Sequence, residues 1–132
     1  MATPDSPRPG RFIWHDLAAA DTAAAQDFYR VAFGWTATTE YANGGQFIRL
    51  QSGRHDVGSM YALSRKEREH GVPSHWTPYV GVENIEAATR RIEAAGGVAL
   101  VRPFEVEGVA RIALVADTLG SVLGLWESLP HE

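Results

Sequence analysis

The order of apolar and polar residues along the chain predicts a strand–helix–strand–strand–strand pattern that occurs twice. Short runs alternate apolar and polar residues, as β-strands do, whereas two longer stretches place apolar residues about three to four positions apart, as amphipathic helices do. The predicted strands cover residues 12–17, 35–41, 46–51, 57–63, 76–82, 98–102, 110–116 and 121–127. The predicted helices cover residues 20–34 and 85–95. The sequence therefore predicts an α+β fold of two βαβββ modules.

The residues at the predicted helix ends support both helices. Asp21 and Asn84 are side chains that accept hydrogen bonds from first-turn N–H groups, so each is a predicted N-cap. Gly34 and the pair Gly96-Gly97 follow the helices, where glycine readily adopts the left-handed conformation that ends a helix. The first helix has a predicted apolar face of Ala24, Phe28, Val31 and Ala32, and the second a predicted inner face of Ile85, Ala88, Ile92 and Ala95.

Segments rich in proline, glycine or charge divide the chain into an N-terminal lead-in segment, two modules, a linker between them and a C-terminal tail. Residues 1–10 contain three prolines and are predicted to be disordered, and Asn43-Gly44-Gly45 predicts a tight hairpin turn. Residues 64–74 alternate positive and negative charges and are predicted to be a solvated linker. The modules then cover residues 11–63 and 75–127, packed as one compact domain, and residues 128–132 form the tail.

The two modules can be aligned on each other as an internal duplication. With an offset of 63 residues, Asp21 falls on Asn84 and Gly34 falls on Gly97. With an offset of 62 residues, Gly58 near the end of the first module falls on Gly120 near the end of the second. Matching helix caps and turn glycines in the same order indicate that each half folds as a similar unit.

Composition excludes several classes of protein. The 132 residues are 45% hydrophobic and 21% charged, which is typical of one globular domain. The net charge of −4 argues against a nucleic-acid partner, and no apolar run is long enough to span a membrane. The absence of cysteine excludes disulfides, thiolate metal sites and a cysteine nucleophile. With no apolar signal-peptide stretch near residue 1, we expect a cytoplasmic protein.

An ordered set of short motifs resembles the vicinal oxygen chelate superfamily, the group of glyoxalases, bleomycin resistance proteins and extradiol dioxygenases. The motifs are Asp21 with Phe28-Tyr29 and Phe33-Gly34-Trp35, Asn84-Ile85-Glu86-Ala87-Ala88 with Ala95-Gly96-Gly97, and Asp117-Thr118-Leu119-Gly120 with Leu125-Trp126-Glu127. The resemblance covers residues 11–127. It implies curled mixed sheets around a shared pocket with the helices on the outer face, and it implies a homodimer.

The same resemblance implies four positions at which metal-dependent members carry ligands. In this sequence those positions hold Trp14, Ala62, Thr77 and Gly124, which do not form a usable ligand set for a catalytic divalent ion. We therefore expect no metal and no other cofactor. A non-standard site built from His75, Asp16 and a third donor is the alternative.

Alternate residues counted from the four family positions predict the pocket wall. They are Phe12, Trp14, Asp16, Met60, Ala62, His75, Thr77, Tyr79, Val122, Gly124 and Trp126. An apolar, aromatic wall with a few polar groups suits a small-molecule site, and the small residues Ala62 and Gly124 favour open volume. The alternative is that Trp14 and Trp126 fill the concave face as a core.

The predicted function is metal-free binding of a flat or amphipathic organic ligand in this aromatic pocket, without turnover. One alternative is an enzyme that acts on a small organic or natural-product intermediate, either through a non-standard metal or with Asp16 as the acid/base group. A carboxyl beside apolar surface has a raised pKa, which suits proton transfer. Asp16 could instead be structural and pair with Arg49 or Arg111. A third possibility is an interaction module whose pocket has collapsed.

Overall fold

The computed structural model describes residues 9–42 and 45–130, which form eight strands and three helices. The elements are β1 Phe12–Ala19, α1 Thr22–Phe33, β2 Thr36–Ala42, β3 Gly45–Ser52, β4 His55–Ala62, α2 Arg65–Glu69, β5 His75–Gly81, α3 Ile85–Ala94, β6 Val98–Val106, β7 Ala110–Ala116 and β8 Val122–Ser128. The predicted α+β class and the repeated βαβββ order are confirmed. Most of the predicted lead-in, two residues of the predicted hairpin turn and the last two residues of the tail lie outside the described residues.

The described residues form two compact units, each containing four strands of β-sheet. The N-terminal unit comprises residues 15–76, and its strand order is β2-β3-β4-β1. The C-terminal unit comprises residues 77–130 together with residues 9–14, and its strand order is β5-β8-β7-β6. In each unit the first and last strands of the module pair in parallel, and the other pairs are antiparallel. Among the described residues, no helix combines the length and apolarity needed to cross a membrane.

Both long helices begin at the predicted caps. The Asp21 carboxylate accepts a hydrogen bond from the Ala24 N–H at 3.0 Å, and the Asn84 side-chain oxygen accepts one from the Ala87 N–H at 3.0 Å. Gly34 ends α1 in the left-handed conformation, with φ of 72°. These caps satisfy N–H and C=O groups that a helix end leaves unpaired, which is why the helix boundaries could be predicted.

The predicted solvated linker contains a helix, so that prediction is wrong for residues 65–69. Ser64 and Glu67 form a capping box: the Ser64 hydroxyl accepts from the Glu67 N–H, and the Glu67 carboxylate accepts from the Ser64 N–H. Arg65 and Glu69 add an exposed ion pair at 2.9 Å along the helix. The alternating charges therefore belong to a short, solvent-exposed helix rather than to an irregular loop.

The core of the N-terminal unit lies between its sheet and α1. Leu17, Leu50 and Met60 are buried, and Tyr29 of α1 packs against them. The predicted apolar face of α1 does not pack on this core, because its four residues are all exposed. These residues are Ala24, Phe28, Val31 and Ala32.

The core of the C-terminal unit follows the prediction more closely. Ile85 and Ala88 are buried against β7 and β8, and Ile92 packs against the same cluster. Ala95 follows the last residue of the helix and is exposed, so its predicted burial is wrong. Thr89 is buried instead, and its hydroxyl donates to the Ile85 carbonyl oxygen at 2.7 Å, which satisfies its polar group inside the core.

Candidate functional site

Asp16 is a partly buried carboxyl on the sheet of the N-terminal unit. It lies on β1 directly opposite Ser59 of β4, and the Ser59 hydroxyl donates to Asp16 Oδ1 at 2.9 Å. Burial raises the pKa of Asp16 to about 7, and the hydrogen bond from Ser59 opposes this rise only in part. The predicted rise in pKa is confirmed. Near neutral pH both the acid and the carboxylate are populated, as a proton-transfer group requires.

Charged side chains from three strands meet beside Ser59 on this sheet. Arg49 of β3 lies opposite Ser59 in the strand register, and its guanidinium lies 3.3 Å from Glu40 and 3.6 Å from Asp56. We call these five residues, Asp16, Glu40, Arg49, Asp56 and Ser59, the polar cluster. Besides Asp16, the cluster contains one cation, Arg49, and two carboxylates, Glu40 and Asp56. Its electrostatic field therefore disfavours the binding of a further anion and accommodates a neutral or cationic group.

The polar cluster is mostly but not completely covered. The side chains of Arg49, Glu40 and Asp56 are 23%, 19% and 19% exposed. Arg49 Nε and Asp56 Oδ1 are buried and face each other at 3.6 Å, an ion pair that is too long for a hydrogen bond. The two atoms therefore satisfy each other only in part.

Asp16 is not the structural partner of an arginine. Arg49 pairs with Glu40 and Asp56, and Arg111 pairs with Glu86. The alternative that Asp16 pairs with Arg49 or Arg111 is therefore wrong.

Tyr61, two residues beyond Ser59 on β4, titrates under the influence of Asp16: burial and the charges of Asp16 and Glu67 raise its pKa to about 12.

Met60 and Ala62 do not share the sheet face of Asp16. In the parallel pairing of β1 and β4, Asp16 lies opposite Ser59, Leu17 lies opposite Met60, and Ala19 lies opposite Ala62. Met60 is accordingly fully buried in the core cluster with Leu17. Adjacent residues of a strand point to opposite faces, so the predicted set was one residue out of register on β4.

Trp14, Tyr79 and Trp126 form a buried aromatic cluster in the C-terminal unit. The ring centroids of Trp14 and Trp126 are 5.7 Å apart, and those of Tyr79 and Trp126 are 6.0 Å apart at nearly right angles. Each of the three side chains is at most 5% exposed. These contacts are typical of a packed core, and they favour the alternative in which the aromatic residues fill the concave face.

Gly124 does not open space beside this aromatic cluster, contrary to the prediction. It lies opposite Tyr79 in the register of β5 and β8, and a Cβ at Gly124 would overlap the Tyr79 ring. The Tyr79 ring therefore packs into the space that a side chain at position 124 would occupy.

We expect Gly124→Ala to destabilise the protein by about 1–3 kcal/mol, because the added methyl group overlaps the Tyr79 ring and the ring is held by Trp126. Urea unfolding followed by circular dichroism measures this loss. Gly53→Ala is a control for the loss of glycine alone, since no atom lies within 4 Å of a Cβ there, although its φ of 60° adds some strain. Equal effects of the two variants would contradict the close contact.

The other residues predicted for the pocket wall are dispersed. Phe12 is 61% exposed and Val122 is 44% exposed, whereas Thr77 is buried. His75 Nδ1 lies 2.8 Å from the Pro73 carbonyl oxygen.

The predicted wall omits Ser59 and Tyr61 because it takes the other face of β4. The register shift between β3 and β4 lets Asp56 reach Arg49. Glu40 lies on the hairpin strand β2, diagonal to Arg49, and the predicted wall includes no hairpin strand.

An open groove of about 320 Å³ lies elsewhere, within the C-terminal unit. Its lining residues are Pro9, Gly81, Val82, Glu83, Trp126, Glu127 and Ser128. Glu127 already accepts a hydrogen bond from the Ile85 N–H at 2.8 Å and so supports the start of α3. In the described residues the Trp126 Nε1 atom is buried without a hydrogen-bond partner.

The residues present do not fit the metal chemistry of the superfamily. Among residues 9–42 and 45–130, no three His, Cys, Asp or Glu side chains are grouped closely enough to hold an ion. The non-standard alternative is not assembled either, because no third donor accompanies Asp16 and His75 in that part of the chain. The other two carboxylates of the polar cluster, Glu40 and Asp56, are engaged by Arg49. We therefore derive no step through a metal.

The paired βαβββ modules, with parallel outer and antiparallel inner strand pairs, define the fold of vicinal oxygen chelate proteins. Residues 11–125 match the family model of the glyoxalase/bleomycin resistance protein/dioxygenase superfamily, and the chain belongs to this superfamily. The resemblance predicted from the sequence is confirmed.

A similar curated protein is the anthracycline biosynthesis protein DnrV of Streptomyces peucetius. It is 34% identical over 130 residues, a match that covers 89% of this chain and 47% of DnrV. The chain thus spans about half the length of the curated relatives it matches.

Solved structures of methylmalonyl-CoA epimerases share the fold. The enzyme from Mycobacterium tuberculosis superposes with a TM-score of 0.65 at 18% identity, covering 92% of this chain and 89% of the epimerase. A variant of the Streptomyces coelicolor enzyme, in complex with 2-nitronate-propionyl-CoA, superposes with a TM-score of 0.67 at 20% identity, covering 93% of this chain and all of the other.

Proposed function

We propose that this protein is an enzyme that transfers a proton on a small organic molecule, with Asp16 as the acid/base group. The observation that carries the proposal is the Asp16 carboxyl, which titrates near neutral pH, receives one hydrogen bond from Ser59 and lies in a charged, partly open cluster. This replaces the expectation that the protein binds a ligand without turnover. The relatives support the change, since one is named for anthracycline biosynthesis and others are epimerases.

The polar cluster gives Asp16 two usable protonation states. The carboxylate form takes a proton from an acidic C–H or O–H of the substrate, and the electron pair of that bond stays on the substrate. The resulting carboxylic acid then returns the proton to the same or another substrate atom, which restores the starting state. Ser59 holds Oδ1 by its hydrogen bond, so the other carboxylate oxygen is the one available for transfer. Burial keeps the two forms close in free energy.

We propose a substrate that is flat or amphipathic and that is neutral or cationic at the reacting end. Glu40 and Asp56 outnumber Arg49, so a carboxylate-bearing substrate would be repelled unless it displaced one of them. The Arg49 Nε–Asp56 Oδ1 pair is 3.6 Å long, beyond hydrogen-bond distance, so a polar group of the substrate can compete for these two atoms. A cytoplasmic location belongs to the same proposal.

Ligand binding without turnover is the second candidate. It is favoured by Trp126, whose buried Nε1 has no hydrogen-bond partner in the described residues and which lines the groove of about 320 Å³. A flat molecule with a hydrogen-bond acceptor could use that group. This function needs no metal, no cofactor and no contribution from Asp16.

Deuterium exchange tests the proposed proton transfer. A panel of aromatic natural products with acidic C–H groups is incubated with the protein in D2O, and mass spectrometry follows deuterium uptake. We expect uptake by at least one compound, and we expect Asp16→Asn to lower its rate by about 10²-fold or more, the scale of a lost general acid/base. Glu69→Gln, which removes an exposed carboxylate of α2, should leave the rate unchanged.

Two outcomes would contradict the proposal. Uptake that is insensitive to Asp16→Asn would show that another group moves the proton. Binding of a panel compound, detected by native mass spectrometry, without deuterium uptake at any pH from about 6 to about 9, the range around the Asp16 pKa, would favour the binding protein instead.

A further inference from the structure

Tyr61 lies on the same sheet face of the N-terminal unit as Asp16 and Ser59. It is two residues beyond Ser59 on β4, and it lies opposite Ala18, which is two residues beyond Asp16 on β1. Because alternate residues of a strand point to the same face, the side chains of Asp16, Ser59 and Tyr61 project from one side of the sheet. Diagonal neighbours on adjacent strands lie about 7–8 Å apart, a distance that an aromatic side chain can span. The phenol of Tyr61 is therefore within reach of a molecule bound at Asp16.

The Tyr61 hydroxyl is a hydrogen-bond donor under the conditions in which Asp16 titrates. Burial and the charges of Asp16 and Glu67 raise the pKa of Tyr61 to about 12, so the phenol keeps its proton where Asp16 loses its own. The residues Asp16, Ser59 and Tyr61 are neither fully buried nor fully exposed. This face therefore combines an acid/base group, a neutral donor and room for a small molecule to approach both.

The charge of the site shows what such a donor can do. When a carboxylate takes a proton from a carbon next to a carbonyl, the electron pair of the C–H bond forms a C=C bond and the carbonyl oxygen becomes an oxyanion. Asp16 loses its own negative charge in the same step, so the total charge of the site does not change. The polar cluster disfavours a further anion, because Glu40 and Asp56 are already present, but it tolerates an oxyanion that forms as Asp16 becomes neutral.

The donors of the polar cluster are already engaged. The Ser59 hydroxyl donates to Asp16 Oδ1, and the Arg49 guanidinium is shared between Glu40 and Asp56. Tyr61 takes part in none of these pairs. A donor that is fixed in place before the reaction stabilises developing negative charge strongly, because it does not have to be reoriented as the charge forms.

We propose that Tyr61 is a catalytic hydrogen-bond donor, whose hydroxyl binds the carbonyl oxygen of the substrate and stabilises the oxyanion that forms when Asp16 removes a neighbouring proton. This inference rests on the proposed function and narrows its substrate class to carbonyl compounds with an acidic C–H next to the carbonyl. When the Asp16 acid returns the proton to carbon, the C=C electron pair forms the new C–H bond and the oxyanion becomes a carbonyl again. Tyr61 keeps its own proton throughout.

Deuterium exchange by Tyr61→Phe tests the donor role. The substrates are flat ketones, β-tetralone among them, incubated in D2O and followed by mass spectrometry. We expect Tyr61→Phe to lower kcat for exchange by about 10²-fold or more, the scale of one lost oxyanion donor, and to change KM less because the ring remains. Tyr41→Phe is the matched control, since Tyr41 is 75% exposed on β2 of the same unit and its hydroxyl should not affect the rate.

Binding of an oxyanion provides a readout that needs no turnover. The probe is para-nitrophenolate, followed by its absorbance at about pH 9, where the probe is ionised and Tyr61 keeps its proton. Asp16→Asn resembles the protonated acid and should bind the probe. The double variant Asp16→Asn/Tyr61→Phe should bind it about 10-fold or more weakly, because a hydrogen bond to a charged group is lost. The uncharged para-nitroanisole should bind equally to both variants.

The two experiments distinguish a failure of this inference from a failure of the proposed function. Exchange that Asp16→Asn abolishes but Tyr61→Phe leaves unchanged would overturn the role of Tyr61 and keep the proton transfer. Exchange that is absent, or insensitive to Asp16→Asn, would contradict the proton transfer itself. Equal binding of para-nitrophenolate by Asp16→Asn and by the double variant would overturn the oxyanion site whatever the exchange shows. The circular dichroism of Tyr61→Phe should match the wild type, and a lost fold would attribute the slower exchange to structure and also overturn the donor role.

Discussion

The wild-type protein should lose stability as the pH rises from about 4 to about 7, and Asp16→Asn should abolish a large part of this pH-dependent loss. In the unfolded chain, Asp16 loses its proton near its ordinary pKa of 3.8, whereas in the folded protein burial holds the proton until about pH 7. Between these values the folded state binds the extra proton, so the free energy of unfolding falls as the pH rises. Above the pKa that Asp16 has in the folded protein, its ionisation causes no further loss of stability.

The expected size of this effect is on the order of 4 kcal/mol, from the difference between the two pKa values at about 1.4 kcal/mol per unit. The asparagine of the variant cannot ionise and its side-chain oxygen can still accept from Ser59, so the variant should be more stable than the wild type at pH 8 and similar at pH 4. Urea unfolding at both pH values measures the difference.

The control for this measurement is Glu69→Gln, which removes an exposed carboxylate of the same unit and should keep the wild-type pH dependence. Ser59→Ala provides a second test, because it removes the hydrogen bond that lowers the Asp16 pKa. The pH range over which stability is lost should therefore extend to higher pH. Parallel curves for the wild type and Asp16→Asn would show that the carboxyl is not desolvated in the folded state, and would remove the basis for its role in proton transfer.

The local structure of this chain could be predicted where it depends on neighbouring residues. The caps Asp21 and Asn84 act on N–H groups three residues away, so their spacing sets where α1 and α3 begin. The same rule would have found α2, since Ser64 and Glu67 have the spacing of a capping box. The high charge of that segment favours a solvated loop, whereas its capping box favours a helix, and the structure follows the capping box.

The face that each element turns inward depends on distant residues and could not be predicted as well. Tyr29 of α1 stacks on Trp35 with centroids 5.2 Å apart, and its hydroxyl accepts a hydrogen bond from Trp76 Nε1 at 3.1 Å. These contacts orient Tyr29 towards the sheet and rotate Phe28 and Val31 outward. Helical periodicity identifies an apolar stripe but does not say whether its own chain or another molecule covers it.

The candidate site was predicted in part for a similar reason. Alternation along β1 identified Asp16, and the effect of burial on its pKa follows from the chemistry of a carboxyl group. Its partner depends on the register between β1 and β4, which brings Ser59 rather than Met60 opposite Asp16. A register shift between β3 and β4, at Leu50 and Gln51, further changes the neighbours of Arg49, and alternation within one strand contains no information about such a shift.

Trp14→Ala should cost about 3–5 kcal/mol of stability, the loss expected when a buried tryptophan is truncated and its cavity stays partly empty. Trp14 is 4% exposed and packs on Trp126, whose ring also meets Tyr79, so the space left by the indole has few flexible side chains to fill it. Thermal and urea unfolding measure the loss.

Phe12→Ala is the matched control for Trp14→Ala, because Phe12 lies two residues earlier on β1 and is 61% exposed. Its truncation should change stability by about 0.5 kcal/mol or less, as exposed positions do. The comparison also decides between a core and a ligand wall, since a side chain that lines an open pocket in the ligand-free protein is partly hydrated and contributes less to folding. A small loss for Trp14→Ala, together with lost tryptophan quenching by an aromatic ligand, would therefore contradict the packed core and return the binding site to Trp14 and Trp126.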